Sequence, residues 1–136
     1  MAVDSKEALG AVPLFADLSD KDLDRVVAIS KQVSHAAGKV VVEEDESAVG
    51  FHLILEGSAE ASNRGDVVST MGPGDHFGEI SLLDGQPRSA SVTATTDVTT
   101  LAIPAWNFNR LLDEHPEMMR ALLIALCQRI RNLGER

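Results

Sequence analysis

Residues 77–92, FGEISLLDGQPRSASV, place a glycine turn, a short apolar helical pattern and one arginine next to each other. Glycine lets the backbone approach a ligand closely, and the free amides that open a helical turn favour a negative charge. We therefore expect the amides at the start of a one-turn helix over residues 78–83 to face an anion. Arg88 adds a full charge on a planar fork that can hold two phosphate oxygens at once. The segment predicts a phosphate-binding turn.

A carboxylate precedes this arginine by nine positions. Glu79 can only accept hydrogen bonds, so it suits a sugar hydroxyl better than a phosphate. Together, Glu79 and Arg88 indicate a ligand that carries both groups. Two plainer interpretations stay open: Arg88 as a solvated arginine after a proline turn, and Glu79 as the cap of its own helix or the partner of another arginine.

The length and charge of the chain limit its domain count and its partners. At 136 residues with 44% hydrophobic content, the chain can bury one core and leaves no room for a second domain. Its formal net charge of −9 is the opposite of the basic surface that nucleic-acid binding needs. Affinity for a phosphate must therefore come from a local arrangement that outweighs the acidic field. We expect no nucleic-acid partner.

The apolar runs and the single cysteine indicate where in the cell the protein is located. The longest apolar helical run, residues 121–127, is too short to span a membrane, and the N-terminus lacks the apolar core of a secretory signal. The single cysteine, Cys127, excludes an internal disulfide. We expect it on the apolar side of the last helix as a small buried hydrophobe, with a redox switch as the alternative. These features predict a cytoplasmic protein with no membrane partner.

The spacing of apolar residues predicts a β-rich centre between helical ends. Short runs of β-forming residues, separated by turn residues, lie at 40–42, 51–55, 67–71, 90–94 and 98–103. This pattern is typical of a sandwich or barrel. Helical spacing predicts helices over residues 20–29, 106–112 and 117–133. In the last helix, one continuous apolar stripe should dock on the sheets: Met119, Leu122, Leu123, Leu126, Ile130 and Leu133.

The glycine–arginine segment resembles the phosphate-binding cassette of the cyclic nucleotide-binding domain family, whose usual pattern is F-G-E-L-A-L-L, a short turn, then P-R-x-A-x-V. The resemblance covers nearly the whole chain. It implies a mainly β fold, a jelly roll (double-stranded β-helix) with an N-terminal helix and two C-terminal helices. A single domain would span residues 1–136, with the roll at about 32–103 and the C-terminal helices at about 105–133. Family members bind cyclic AMP or cyclic GMP, and a C-terminal helix closes over the purine.

The resemblance also implies a role for individual residues. Glu79 would bind the ribose 2′-hydroxyl, Arg88 the cyclic phosphate and Ser89 a phosphate oxygen. Arg129, in the last helix, would pair with Glu79 and so link the sugar site to the lid. The remaining expected ligand-binding positions supply backbone groups or line the purine slot: Gly78, Ile80, Ser81, Ala61, Val68, Ser69 and Leu133.

Two positions depart from the family pattern. Leu133 lies where bacterial catabolite activators carry a hydroxyl residue that reads the adenine amino group, which puts purine discrimination in doubt. Asp45 replaces an expected glycine, but aspartate tolerates a left-handed turn better than most residues. Cyclic AMP is expected over cyclic GMP because it is the more prevalent ligand of the family.

The resemblance implies a regulatory binding module without cofactor or enzymatic activity, acting on an unidentified effector protein or on a second copy of the chain. No nucleophile lies beside a base, which argues against catalysis. One alternative is a cupin-type metal enzyme, but only His76 and Glu79 lie close together, fewer ligands than a metal needs, so we expect no metal site. The other is an interaction domain of the same fold that no longer binds a nucleotide.

Overall fold

Two antiparallel sheets of four strands each form the centre of the chain. The computed structural model describes residues 4–42, 50–84 and 90–134. The strands are β1 (Lys31–His35), β2 (Val40–Val42), β3 (Gly50–Glu56), β4 (Ala59–Asn63), β5 (Asp66–Met71), β6 (His76–Phe77), β7 (Ser91–Ala94) and β8 (Val98–Pro104). Their orders are β1-β8-β3-β6 in one sheet and β2-β7-β4-β5 in the other. Apart from the β4–β5 hairpin, neighbouring strands in the two sheets come from distant parts of the described chain, as in a sandwich rather than a simple meander.

Helices precede and follow the strands in the chain, and one short helix lies between β6 and β7. They are α1 (Ser5–Gly10), α2 (Asp20–Ile29), the one-turn α3 (Glu79–Asp84), α4 (Ala105–Glu114) and α5 (Pro116–Gly134). The predicted bounds of α2 are confirmed, and the Ser19 hydroxyl accepts a hydrogen bond from the Asp22 amide as its cap. Helix α1 precedes α2 and was not predicted from the sequence. Asp4 caps α1 by accepting from the Lys6 and Glu7 amides.

The two faces of the β1-β8-β3-β6 sheet pack against different partners. Alternate side chains of a strand point to opposite faces. On one face, Phe51 joins the larger core shared with the helices and stacks on Phe108 of α4 with ring centroids 4.6 Å apart. On the other face, Ile54 and Phe77 pack against Ala59 and Val92 of the second sheet. Partly buried apolar side chains of the second sheet complete this smaller core. His76 of β6 packs on Phe51 of the larger core, so strand β6 contacts both cores.

Helix α5 is buried only near its start. Met118 and Leu122 pack into the larger core, whereas Leu123 and Ile130 are exposed. The prediction of one continuous docked stripe was therefore wrong for the second half of the helix. Cys127 is also exposed, which corrects the expectation of a buried thiol. No helix within the described part of the chain has an apolar stretch that could cross a bilayer.

Candidate functional site

A tight turn delivers the chain from β5 into β6. The Gly72 amide donates to Asp75 Oδ2 at 2.9 Å, and the Asp75 amide donates to the Gly72 carbonyl at 3.0 Å. The turn is also tied to the sheet, because the Gly74 amide donates to the Ile54 carbonyl and the Ile54 amide to the Asp75 carbonyl, both at 2.9 Å. These bonds fix where β6 begins beside β3.

Gly78 then redirects the backbone between β6 and α3. Its φ of 100° lies in the left-handed region that side-chain-bearing residues rarely adopt. The turn makes Glu79 the first residue of α3, and its side chain enters the protein, leaving Glu79 1% exposed. Fully buried glutamates are rare unless they are paired, so the surroundings of this carboxylate are informative.

The two oxygens of the Glu79 carboxylate have different neighbours. Oε1 accepts a long hydrogen bond of 3.4 Å from Arg129 Nη2, and His76 Nδ1 lies 3.4 Å from the same oxygen. Oε2 is buried and has no hydrogen-bond partner among the residues that the structure describes. The predicted Arg129–Glu79 contact is therefore present, and one carboxylate oxygen is left for another donor.

The pKa of Glu79 reflects opposing influences. Burial is the largest and favours the neutral acid. The contacts with His76, the amide of Glu79 itself and the charge of Arg129 act in the other direction. Together they outweigh burial and hold the pKa of Glu79 below its ordinary value. The side chain is therefore an anion near neutral pH, and it can only accept hydrogen bonds.

His76 is a part of the site that sequence reasoning considered only as a metal ligand. It lies opposite Leu53 in the β3–β6 pairing, and its ring packs on Phe51 with centroids 5.2 Å apart. Its Nδ1 is buried and has no hydrogen-bond partner within residues 4–42, 50–84 and 90–134, because the 3.4 Å approach to Glu79 attracts electrostatically but misses hydrogen-bond geometry. The sequence signal that could have indicated this contact is the position of His76, three residues before Glu79 and next to the Gly78 turn.

The candidate purine-slot residues meet on β4 and β5. Ala61 pairs with Ser69, and the register then shifts so that Val68 is the extra residue of a β-bulge. Bulges reorient side chains and occur frequently next to binding sites. Ala61 packs against the smaller core, while Ser69 and Val68 are exposed. The structure thus brings these three positions together, although their role in binding stays a prediction.

Some expected site residues lie outside the described part of the chain, and for others only the backbone is described. Arg88 and Ser89 lie outside the described residues, as does Asp45. The backbone of Ile80 and Ser81 lies in α3, and Leu133 lies near the end of α5. Among the described residues, no three His, Cys, Asp or Glu side chains come together as a metal site. The metal-enzyme alternative therefore gains no support.

Comparison with known proteins identifies the family. The cyclic nucleotide-binding domain model matches residues 32–115. The cAMP-dependent protein kinase regulatory subunit of Eremothecium gossypii is 36% identical over 113 residues, which cover 82% of this chain and 25% of the relative. The chain thus spans about a quarter of that curated relative.

Solved structures agree with this match. The catabolite activator protein of Thermus thermophilus superposes with a TM-score of 0.79 at 27% identity, covering 90% of this chain and 60% of that one. The regulatory domain of Toxoplasma gondii PKA, solved with cAMP, gives a TM-score of 0.73 at 28% identity, covering 78% and 42%. The predicted mainly β roll with helices at both ends is confirmed by this likeness. The chain belongs to the cyclic nucleotide-binding domain family.

Proposed function

We propose that this chain is a regulatory module that binds a cyclic nucleotide, with cAMP preferred over cGMP. The observation that carries the proposal is the buried, ionised Glu79, whose Oε2 has no hydrogen-bond partner among the described residues. A buried acceptor of this kind needs a donor. The preference for cAMP is supported by the similar kinase regulatory subunit, which is named for cAMP, and by the similar PKA domain solved with it.

The phosphate needs a separate partner, because a carboxylate repels it. In this proposal Arg88 holds the cyclic phosphate with its planar fork, assisted by Ser89 and by the backbone amides of Gly78, Ile80 and Ser81. The purine lies against Ala61, Val68 and Ser69, which meet at the β-bulge in the middle of the β4–β5 pair. Sugar and phosphate are thus recognised by groups of opposite charge that are close in sequence.

Binding is communicated through α5 in the same proposal. Arg129 reaches Glu79 from the second half of this helix, so the sugar site and the lid share one carboxylate. A ligand can shift the position of α5 only if it binds one position more tightly than the other. Occupation of Glu79 by a sugar hydroxyl supplies such a difference, because it changes the surroundings of the carboxylate that Arg129 contacts.

We propose a signalling role rather than an enzymatic one, in the cytoplasm, with an effector protein or a second copy of this chain as the recipient. The similar proteins named above are a kinase regulatory subunit and a catabolite activator protein. The output therefore differs among relatives, although the binding fold is shared.

Calorimetric titration of nucleotide-free protein with cAMP and with cGMP tests the proposal. We expect heat of binding for both and the higher affinity for cAMP. Arg88→Ala should weaken binding by about 2 to 5 kcal/mol, because the phosphate loses its charged partner. Arg131→Ala is the matched control, since this arginine is exposed on α5 and should leave both affinities unchanged. Equal binding by the Arg88→Ala variant would contradict the site assignment.

One observation favours a second candidate, an interaction domain that does not bind a nucleotide. Leu123, Ile124 and Ile130 are exposed on the second half of α5. Exposed apolar side chains grouped on one helix are typical of protein-binding surfaces. Absence of any binding heat with either nucleotide in the wild-type protein would favour this candidate over the sensor.

A further inference from the structure

His76 and Arg129, the two residues that approach the Glu79 carboxylate, differ in how firmly their side chains are held. Both approach Oε1 at 3.4 Å. The His76 side chain is 14% exposed, and its ring is fixed between the β3–β6 pairing and the face of Phe51. The Arg129 side chain is 52% exposed on the second half of α5. Because a long, half-exposed side chain keeps many rotamers, His76 is the fixed partner and Arg129 the variable one.

Both partners approach the same oxygen, which leaves the other oxygen free. The hydrogen bond from Arg129 and the electrostatic contact with His76 Nδ1 both act on Oε1 and orient the carboxylate plane without consuming Oε2, which stays buried and without a hydrogen-bond partner among the described residues. If α5 moves, Arg129 can leave, but His76 stays because it belongs to the sheet. The orientation of Glu79 then depends on His76 alone.

The chemistry of a cyclic nucleotide defines the donor that Oε2 can receive. The 3′ and 5′ oxygens are both esterified to the phosphate, so the 2′-hydroxyl is the only sugar O–H group. A carboxylate oxygen accepts from a hydroxyl and repels a phosphate oxygen. We propose that His76 is a positioning residue for nucleotide recognition, which holds Glu79 through Oε1 so that Oε2 accepts from the 2′-hydroxyl. This inference rests on the proposed function.

The test separates the donor of His76 from its ring. His76→Phe keeps an aromatic ring against Phe51 and removes the donor, whereas His76→Asn places an amide N–H near the position of Nδ1. Each variant is titrated with cAMP and with 2′-deoxy-cAMP, which lacks the hydroxyl. We expect His76→Phe to lose about tenfold in affinity for cAMP, within the usual range of interaction energies between contacting residues, and less than twofold for 2′-deoxy-cAMP. His76→Asn should recover most of the loss.

His35→Phe is the matched control, because His35 lies on β1 at the opposite edge of the same sheet. It should leave both affinities within about twofold, in line with the small effect of changes away from the site. An unchanged cAMP affinity in His76→Phe, or equal losses for both nucleotides, would overturn the inference while leaving nucleotide binding intact. Wild-type protein that binds neither nucleotide would overturn the proposed function itself, and the inference with it.

A spectroscopic measurement on folded wild-type protein is independent of whether His76→Phe folds. Nitrogen-15 spectra of labelled histidine should show a proton on His76 Nδ1, because this atom faces the ionised Glu79. Glu79→Gln should shift that signal, while the signal of His35 should stay in place. An unprotonated Nδ1 would exclude the donor role and overturn the inference.

Discussion

The two halves of α5 are held by different forces. In the first half, residues 116–122, Met118 and Leu122 are only 0% and 1% exposed and pack into the larger core. In the second half, residues 123–134, Ile130 is 67% exposed, and Arg129 contacts Glu79 of α3 at 3.4 Å. One helix thus combines a packed beginning with a solvated end.

The difference in energy between these attachments is large. Full burial of a leucine or methionine side chain contributes about 1.5 to 3 kcal/mol. An ion pair with a half-exposed partner contributes about 0 to 1 kcal/mol. A ligand can therefore displace the second half of α5 with little expenditure of binding energy, whereas moving the first half would require opening the core. The position of the ion pair makes the second half the part of the helix that the site can control.

The largest expected effect comes from truncating the packed half. Leu122→Ala should lower the free energy of unfolding by about 2 to 5 kcal/mol, because it removes buried methyl groups and leaves a cavity. Ile130→Ala is the matched control in the solvated half and should change it by less than about 0.5 kcal/mol. Urea denaturation of the two variants measures both values. Similar losses at the two positions would show that α5 is packed along its whole length.

Acid should act on the attachment of the second half. The pKa of Glu79 is lower in the folded than in the unfolded protein, so the unfolded state takes up this proton first as the pH falls. The contribution of Glu79 to stability is therefore complete above the ordinary glutamate value of about 4.3 and is lost as the pH falls through the lowered pKa.

Unfolding free energies of wild-type protein and Glu79→Gln, measured from pH 7 down to pH 3, test this dependence. The variant should lose less stability in acid than the wild type, because it lacks the group that takes up the proton. Parallel curves would mean that Glu79 has the same pKa in both states, and its contacts with His76 and Arg129 would then only offset the effect of burial.

The sequence predicts helices and strands well where residues within the element itself determine its structure. The cap at Ser19 indicated the start of α2, and runs of β-forming residues located five of the eight described strands. Strands β1, β4 and β6 were missed because KQVSH and AEASN are largely polar and β6 has two residues. Helix α1 was missed although Asp4 was available as its cap. These elements depend on pairing with distant strands or on packing against α2, which composition does not encode.

The site shows the same division. The family resemblance predicted the approach of Arg129 to Glu79, fifty positions apart in sequence. It did not predict His76, because the closeness of that ring to Glu79 depends on the β3–β6 register and on Phe51 behind it. The error at Cys127 and Ile130 has another cause. Apolar periodicity identifies a helix face, but not how far along the helix the partner surface extends.

Removal of the ion pair should have a small effect on stability and a larger one on local motion. Arg129→Ala should lower the free energy of unfolding by no more than about 1 kcal/mol, because the arginine is half exposed. Backbone amides in residues 124–132 should exchange hydrogen faster, while those in 117–122 should not change. Arg131→Ala is the control. Equal exchange in both variants would show that the Glu79 contact does not restrain the second half.

The smallest expected effect is at the cysteine. Cys127 is exposed on the solvated half of α5, so a thiol reagent should modify it completely in the folded protein without denaturant. Cys127→Ser should change the free energy of unfolding by less than about 0.5 kcal/mol, because no packed volume is lost. A thiol that reacts only after urea is added would place this turn of α5 against another surface. Slower reaction in the presence of cAMP would instead show that the nucleotide changes the surroundings of the second half, which is the movement that the weak attachment predicts.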